Sequence, residues 1–316
     1  MVIMKWLFII DPIESLNYNT DSTYAIMKEA YRQGISVFYC CIQDIFFNEY
    51  INCVSKSFSF TAGIYKIGVS EICKLDSFDI IFMRKDPPYD MTFHYCTELL
   101  SLAETLVVNS PQALRDFNEK LIILPFTEFI PETVVTSEKS QFKAFLKNHK
   151  DGFILKSLAS YQGRSVVWIK KDNENSENIL QNYTDNYTKP VMIQEYIPEV
   201  RIGDKRILVL GGKIIGAVLR EPKDNNYLAN LGQGGIARKT SITERENVMV
   251  KSISNFLVKN GLYFVGLDVI GDYITEINIT CPTGIVHINE LDKIVLEETI
   301  IDYFRDLVAT HKSIRV

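Results

Sequence analysis

The first part of the sequence lacks a long apolar run. Its longest run, residues 6–10, is closed by Asp11 and Pro12. A membrane-spanning helix needs about 20 apolar residues, and the apolar core of a signal peptide needs about 7 to 15. We therefore expect a cytoplasmic chain with no membrane partner.

Cysteines are few and show no metal-binding pattern. None of the six forms a CxxC pair or the Cys/His spacing of a zinc site. Adjacent Cys40 and Cys41 lie in an apolar, strand-like run. In a cytosolic chain such residues are expected to be reduced and to fill the core, so function is not expected to depend on them.

Net positive charge is also lacking. The chain has 34 basic and 39 acidic residues, a formal charge of −5 and an isoelectric point near 5.5. Nucleic-acid binding depends on a basic surface that displaces counterions, so no nucleic-acid partner is expected. Local clusters of Lys and Arg would still suffice for a small anion such as a nucleotide.

The composition is otherwise that of a globular protein. The 316 residues are 47% hydrophobic and 23% charged, which excludes disorder, collagen and coiled coil. With about 150 residues to a domain, the length predicts two or three domains. We place them at residues 1–120, 121–199 and 200–316.

The first of these parts alternates strand and helix patterns, which favours a mostly parallel α/β sheet. The predicted strands are residues 6–10, 36–40, 79–84 and 106–109. Residues 48–72 give no clear prediction. Ligands bind such sheets at the carboxyl ends of the strands, where Asp11-Pro12 and residues 84–86 lie.

The remaining two parts are predicted to be a small α+β unit and a unit built on antiparallel strands. In the first, strands at 153–156 and 165–170 flank a loop at 157–164. In the second, a strand pair surrounds Gly211-Gly212, and a capping box of Thr243 and Glu246 begins a helix. The glycine-rich residues 225–239 are a candidate mobile lid.

The last predicted hairpin, residues 264–280, is the most informative segment. Its odd positions 265, 267, 269, 277 and 279 are apolar, whereas its even positions include Asp268, Glu276 and Asn278. Since strand side chains alternate between faces, these three lie on one face. A three-residue connection, 271–273, would set Asp268 directly opposite Glu276, and a two-residue turn would separate them.

Two carboxylates and an amide oxygen with no basic side chain among them suit Mg²⁺, with Mn²⁺ as a possible substitute and phosphate oxygens as further ligands. Gly266 lies in the same row and is expected to leave room for a ligand. The alternative is the solvated face of an amphipathic hairpin.

Four basic residues occupy positions that packing does not require. Lys156 interrupts an apolar run, where an unpaired ammonium would be costly. Arg206 and Arg220 lie on the two arms of one strand pair, and their guanidinium groups match phosphate or carboxylate oxygens. Lys120 follows a helix. Each taken alone could be a surface charge.

Residues 194–197 end a strand before Pro198 and could offer backbone groups to the edge of an adenine. Asp204 lies downstream and could accept a hydrogen bond from a ribose hydroxyl. It could equally be a residue of the turn at Gly203-Asp204.

Several motifs, in order along nearly the whole chain, resemble those of the bacterial glutathione synthetase family, within the ATP-grasp superfamily. They are DPI at 11–13, MRKDPP at 83–88, NxPQxLRDxNEK at 109–120, GDKR at 203–206, and GLDVIGD with TEIN between 266 and 278. The resemblance implies an ATP-grasp fold with an N-terminal α/β domain, a central lid domain and a C-terminal antiparallel domain. It also implies a homo-oligomer.

The resemblance also implies roles for individual residues. Lys120 and Lys156 would hold the nucleotide phosphates, Gln194, Glu195 and Ile197 would frame adenine, and Asp204 would bind ribose. Asp268, Glu276 and Asn278 would bind Mg²⁺. Arg206 and Arg220 would bind the transferring phosphate and the acyl carboxylate. The implied reaction begins with attack of the carboxylate of γ-glutamylcysteine on the γ-phosphate of ATP. Glycine then captures the acyl phosphate.

Three segments depart from the family pattern. The loop at 159–164 has one glycine, residues 228–230 lack the usual arginine, and residues 281–287 (CPTGIVH) lack another. These departures leave two alternatives open. One is a sister ligase for another short peptide and amine, and the other is a nucleotide-binding regulator without turnover.

Overall fold

The computed structural model describes residues 3–61, 63–159, 166–223 and 235–315. Its strands form three sheets of seven, four and five strands. No helix within these ranges combines the length and the apolar character needed to cross a membrane.

The first sheet has a parallel centre. β1 pairs in parallel with β2 and β6, and β6 pairs in parallel with β7. The elements of this part are β1 (Lys5–Ile9), α1 (Ser22–Arg32), β2 (Ser36–Cys40), β3 (Ile45–Asn48), β4 (Tyr50–Thr61), β5 (Ile64–Lys74), β6 (Ile80–Met83), α2 (Met91–Leu100), β7 (Leu106–Val108) and α3 (Pro111–Asp116). The apolar runs of β1 and β6 are buried on both faces, as in parallel sheets generally.

Residues 48–72, which have no clear sequence-based prediction, belong largely to a long antiparallel hairpin of β4 and β5. β5 lies at the edge of the sheet and pairs only with β4 among the described strands. Most of its side chains are exposed, including the apolar Val69 and Ile72. A half-buried strand is recognised by the alternation of apolar and polar residues. Apolar residues on the exposed face remove this pattern.

The second sheet is antiparallel, in the order β10-β9-β11-β8. Its part of the chain comprises β8 (Thr133–Thr136), α4 (Lys139–Asn148), β9 (Phe153–Ser157), β10 (Val166–Ile169), α5 (Ser176–Tyr183) and β11 (Val191–Glu195). Most of the loop predicted at 157–164 lies outside the described residues.

The third sheet is also antiparallel, in the order β14-β13-β12-β15-β16. Its part comprises β12 (Asp204–Leu210), β13 (Lys213–Glu221), β14 (Ile236–Arg238), α6 (Glu244–Lys259), β15 (Phe264–Ile270), β16 (Tyr273–Asn278), α7 (Ile285–Asp292) and α8 (Leu296–Arg315). The capping box of Thr243 and Glu246 begins α6, as predicted. Of the candidate lid, residues 225–234 lie outside the described residues, and Ile236–Arg238 form a strand.

The predicted three-residue connection of the last hairpin is wrong. β15 and β16 are joined by the two-residue turn Gly271-Asp272, and Ile270 pairs with Tyr273. A bulge then shifts the register between Val269 and Asp268, so that Thr275 has no direct partner and Asp268 still faces Glu276. The extra residue of the bulge thus keeps Asp268 opposite Glu276, which a three-residue turn was expected to do.

The first and third sheets are held together by polar and apolar contacts. Asn109, just after β7, donates to the carbonyls of Phe264 (2.8 Å) and Ile279 (2.7 Å) and accepts from the Phe264 amide. On the apolar side, Phe304 of α8 packs edge-on against Phe82 of β6 at 5.0 Å. These contacts fix the ends of the parallel strands beside the last hairpin.

Candidate active site

A cavity of about 670 Å³ lies between the first and third sheets. On one side it is lined by loops that follow β1 and β6, including Asp11, Lys85 and Asp86. On the other side it is lined by Arg206, Arg220, Asp268, Glu276 and Asn278. The strand-end loops therefore face five of the residues that the sequence singled out.

Asp268 is surrounded by basic groups. Its side chain is 5% exposed, and Arg206 binds it with two nitrogens, Nε 2.5 Å from Oδ1 and Nη2 3.1 Å from Oδ2. Arg220 Nη2 lies 3.0 Å from Oδ2. The expectation of a carboxylate pair without basic partners is therefore wrong. The hairpin pattern alone could not reveal that β12 places Arg206 beside Asp268.

The ion pairs determine the protonation state of Asp268. Burial alone would raise the pKa of this carboxyl, but the guanidinium groups of Arg206 and Arg220 outweigh it and hold the pKa well below its ordinary value. Asp268 is therefore ionised at neutral pH. The site combines a fixed negative charge with two fixed positive charges.

Asp204 forms the other side of this network. It lies opposite Arg220 across β12 and β13 and is ion-paired with it. Burial raises the pKa of Asp204 to about 6, against the opposing effect of Arg220. Its Oδ1 is buried and has no hydrogen-bond partner among the described residues, so one acceptor is left for a ligand or a water molecule.

Gly266 makes room for a protein side chain. A Cβ at this position would lie 2.9 Å from Arg206 Cδ and 3.2 Å from Pro282 Cβ. The expectation that the missing side chain leaves space for a ligand is therefore wrong, because Arg206 crosses the strand at this point. Glycine allows Arg206 to reach Asp268.

Both predicted phosphate-binding lysines are buried next to β16. Lys120 Nζ lies 3.3 Å from Glu276 Oε1, and Lys156 Nζ donates to the carbonyl of Thr275 at 3.1 Å. Burial lowers the pKa of Lys156 to about 8, although Glu276 opposes the shift. The Thr275 carbonyl is available to Lys156 at the bulge of this strand.

The three predicted adenine-binding residues lie at the end of β11, outside the residues that line the 670 Å³ cavity. Gln194 is buried and donates to Thr133 Oγ1 at 3.0 Å, whereas Glu195 is exposed. Ile197 is buried. The side chain of Gln194 is thus occupied by the sheet.

Glu119 was not singled out as a site residue, yet it positions the hairpin. Its Oε1 accepts hydrogen bonds from the amides of Ile279 (2.8 Å) and Thr280 (3.0 Å) and from Thr280 Oγ1 (2.8 Å). Burial and the nearby charge of Glu276 raise its pKa. The only sequence signal was its place before Lys120 in a motif, because these contacts span about 160 residues.

The oxygen atoms of Asp268, Glu276 and Asn278 suit a hard divalent cation. All three residues line the cavity, and Asp268 Oδ1 accepts a single hydrogen bond among the described residues. Within the described ranges, no three His, Cys, Asp or Glu side chains are grouped to hold a metal. A cation here would need oxygens from bound molecules, such as phosphates.

Comparison with known proteins identifies the family. The family model "Prokaryotic glutathione synthetase, N-terminal domain" matches residues 4–115, and "Prokaryotic glutathione synthetase, ATP-grasp domain" matches residues 119–293. The chain belongs to the prokaryotic glutathione synthetase family. The predicted family and ATP-grasp fold are thereby confirmed, and with them an ATP-dependent ligase that forms a C–N bond.

Individual relatives agree with this assignment. The glutathione synthetase of Gloeobacter violaceus is 36% identical over 95% of this chain and 96% of its own length. That of Buchnera aphidicola subsp. Schizaphis graminum is 37% identical over 96% and 98%. Membership of this family implies dependence on ATP and a divalent cation, with small molecules or peptides as substrates.

Solved structures support the fold. D-cycloserine synthetase DcsG matches with a TM-score of 0.66 and 12% identity over 97% of this chain and 99% of that chain. An ATP-grasp ligase associated with ribosomal peptides from Chryseobacterium gregarium matches with a TM-score of 0.65 and 16% identity, over 96% and 97%. At these identities the likeness concerns the fold alone.

Proposed function

We propose that this enzyme joins γ-glutamylcysteine to glycine in the cavity between the first and third sheets. The single observation that carries the proposal is the joint lining of this cavity by the strand-end loops of one sheet and by Arg206, Arg220, Asp268 and Glu276 of the other. The reaction needs a binding surface for a peptide next to charges that handle phosphate. This cavity has both.

In the first step, the cysteinyl carboxylate of γ-glutamylcysteine attacks the γ-phosphorus of ATP. The bond to the β–γ bridging oxygen breaks, and ADP leaves with that oxygen. Arg206 and Arg220 are proposed to bind the acyl carboxylate and the transferring phosphoryl group, since both are buried, charged and at the cavity wall. Fixed cations stabilise the charge that builds up on phosphoryl oxygens in such transfers.

In the second step, the amine of glycine attacks the acyl carbon and inorganic phosphate leaves. The glycine ammonium group first gives one proton to a cavity carboxylate, and the amine gives a second proton to the departing phosphate as the peptide bond forms. Asp11, Asp21 and Asp86 line the same cavity, and their carboxylates are suited to hold an ammonium group before reaction.

The nucleotide is proposed to lie between the second and third sheets. Lys120 and Lys156 would bind its phosphates, Gln194, Glu195 and Ile197 would frame adenine, and Asp204 would bind ribose. Support comes from the position of both lysines, one from each side, against β16. A phosphate would provide the negative charge that buried Lys156 lacks.

Asp268, Glu276 and Asn278 are proposed to hold Mg²⁺, with Mn²⁺ as a possible substitute. The cation, when bound, would neutralise charge on the phosphate oxygens. The protein's part is to keep Asp268 ionised through Arg206 and Arg220, and to hold Asn278, whose Nδ2 lies 3.2 Å from Asp268 Oδ2.

Three further properties are proposed. The domain boundaries are 1–120, 121–199 and 200–316, since each sheet lies within one of these ranges. The location is proposed to be cytoplasmic. The enzyme is a homo-oligomer, which the exposed apolar residues of edge strand β5 support.

The proposal is tested by measuring phosphate release and products from ATP, Mg²⁺, γ-glutamylcysteine and glycine. We expect equimolar ADP, phosphate and glutathione. Turnover only with another amine or peptide would favour the sister ligase, and ATP binding without turnover on any pair would favour a silent regulator. Parallel assays with Mg²⁺ and Mn²⁺ identify the preferred metal.

A further inference from the structure

His287 lies in the first turn of α7 and lines the cavity. Its backbone is fixed from two sides. The amides of Gly284 and Ile285 donate to Ser22 Oγ at 3.1 and 3.3 Å, and Arg206 Nη1 donates to the carbonyl of Thr283 at 3.3 Å. The segment that leads into His287 is therefore bound by the arginine that is proposed to handle the acyl carboxylate.

The two ring nitrogens of His287 have different surroundings. Nδ1 is buried and has no hydrogen-bond partner among the described residues. The side chain as a whole is only partly buried and lines the cavity. From the burial of Nδ1 we assign Nε2 as the nitrogen that reaches the cavity.

The proton of the neutral ring is expected on Nε2. Burial lowers the pKa of His287, so the ring is neutral at pH 7. A neutral imidazole has one N–H, and a buried N–H without a partner is rarer in proteins than an acceptor with an unused lone pair. His287 thus presents a donor to the cavity.

Charged donors are few in this cavity, whose neutral lining includes hydroxyl and amide groups such as those of Ser15 and Asn17. Six of its lining side chains are acidic, namely Asp11, Asp21, Asp86, Glu119, Asp268 and Glu276, whereas Lys85, Arg206 and Arg220 are basic. All three bases are already paired with carboxylates of the protein. Since Arg206 and Arg220 are assigned to the reacting groups and Lys85 is paired with Asp11, a carboxylate that stays intact is left to other donors, of which His287 is one.

We propose that His287 binds a substrate carboxylate through Nε2–H and so selects amino-acid substrates over simple amines or amides. The inference rests on the proposed function, because it takes γ-glutamylcysteine and glycine as the substrates. Each has one carboxylate that does not react, the glutamyl α-carboxylate and the glycine carboxylate. Nε2–H would donate the same kind of hydrogen bond to either carboxylate.

The test compares three variants, His287→Leu, His287→Gln and His287→Asn. Leucine removes the donor, glutamine places an amide N–H near the position of Nε2, and asparagine places one near Nδ1. A lost hydrogen bond to a charged group costs about 1.5–3 kcal/mol, so His287→Leu should raise KM for one substrate at least about tenfold. His287→Gln should restore much of this loss and His287→Asn should not, while KM for ATP changes little.

Analogues show which carboxylate is bound. If glycine is the partner, the KM effect of His287→Leu disappears with glycinamide. If the glutamyl group is the partner, the effect disappears with the α-amide of γ-glutamylcysteine. Either result supports the proposal.

Two results would overturn it. One is an unchanged KM for both substrates in His287→Leu, and the other is an equal loss in all three variants, which would indicate a packing role. Failure of the proposed function is seen separately, because the wild-type enzyme would then produce no glutathione from the natural pair.

Discussion

At the scale of single residues, the carboxylates of Asp268 and Glu276 face each other but differ in what they neutralise. Asp268 compensates two buried guanidinium groups, whereas Glu276 is partly exposed and pairs with Lys120. Removing one partner of a buried ion pair costs about 3–5 kcal/mol, because the other charge stays buried. Glutamine at position 276 could still accept a hydrogen bond from Lys120, so its cost is about 1 kcal/mol.

We therefore expect Glu276→Gln to lower kcat/KM for ATP about 100-fold or more with a small change in Tm. Asp268→Asn should lower both activity and Tm. Steady-state kinetics over a range of Mg²⁺ concentrations, together with calorimetry, check both. A Glu276→Gln enzyme with normal turnover at low Mg²⁺ would contradict the metal assignment.

The site could be predicted from the sequence only where its residues share a motif or a strand. Asp268, Glu276 and Asn278 were placed on one face because alternation along a strand is a local property. The contacts of Asp268 with Arg206 and of Glu119 with Thr280 join residues 62 and 161 positions apart. Such contacts depend on sheet order, which alternation does not reveal.

At the scale of elements, the bulge in β16 links the hairpin to the second sheet. Thr275 is the extra residue, its Oγ1 donates to the Asp268 carbonyl at 3.2 Å, and its own carbonyl accepts from Lys156. Deleting Thr275 would give a regular ladder in which Asp268 still faces Glu276, because position 268 would pair with the next residue after Ile274. The acceptor for Lys156 would be lost.

Deletion of Thr275 is expected to weaken ATP binding about tenfold or more by misplacing Lys156, a charged hydrogen-bond partner, while the hairpin stays folded. Thr275→Val is the matched control, since it removes the hydroxyl and keeps the carbonyl. Isothermal titration calorimetry with a non-hydrolysable ATP analogue measures the affinities. Equal affinity of the deletion variant and the wild type would refute a role for the bulge.

The strands and helices themselves could be predicted where buried residues repeat with the period of a strand or a helix. β2 has the predicted bounds, and α6 has the predicted cap. The β4–β5 hairpin was not predicted, because Val69 is 76% and Ile72 is 71% exposed. Buried and exposed residues therefore do not alternate regularly along this hairpin.

At the scale of the whole molecule, the C-terminal helix is bound to the first helix. Glu29 of α1 accepts from Arg32 Nε and Nη2, both at 2.6 Å, and Arg32 Nη2 reaches Glu298 of α8 at 2.9 Å. Burial would raise the pKa of Glu29, but hydrogen bonds from Arg32 and Gln33 lower it below the ordinary value of 4.5. A lowered carboxyl pKa stabilises the fold above the unfolded-state pKa and ceases to do so as the pH falls through the folded-state value.

Glu29→Gln is therefore expected to lower the free energy of unfolding at pH 7 by up to about 1 kcal/mol, a value limited by the exposure of Arg32. The difference from wild type should shrink as the pH falls below about 4.5. Urea unfolding at pH 7, 5 and 3.5 measures it. A difference that stays constant with pH would show that the ionised carboxylate contributes nothing.

The edge strand β5 is the surface through which we expect copies of this chain to associate. Its backbone pairs on one side only among the described strands, and an edge strand with exposed apolar residues, here Ile64, Val69 and Ile72, tends to pair with another chain. We propose that β5 of one copy pairs antiparallel with β5 of a second. Light scattering should then give a multiple of 36.2 kDa for the wild type, and Val69→Lys should shift the mass toward the monomer without loss of activity.

Leu102→Lys is the matched control, because Leu102 is 58% exposed and lies outside the strands, just after α2. It adds the same charge to an apolar surface position and should leave the mass unchanged. A wild-type mass of 36.2 kDa would contradict a homo-oligomer. An oligomer that withstands Val69→Lys would place its interface away from β5, since a lysine amid paired apolar side chains would be desolvated without a partner.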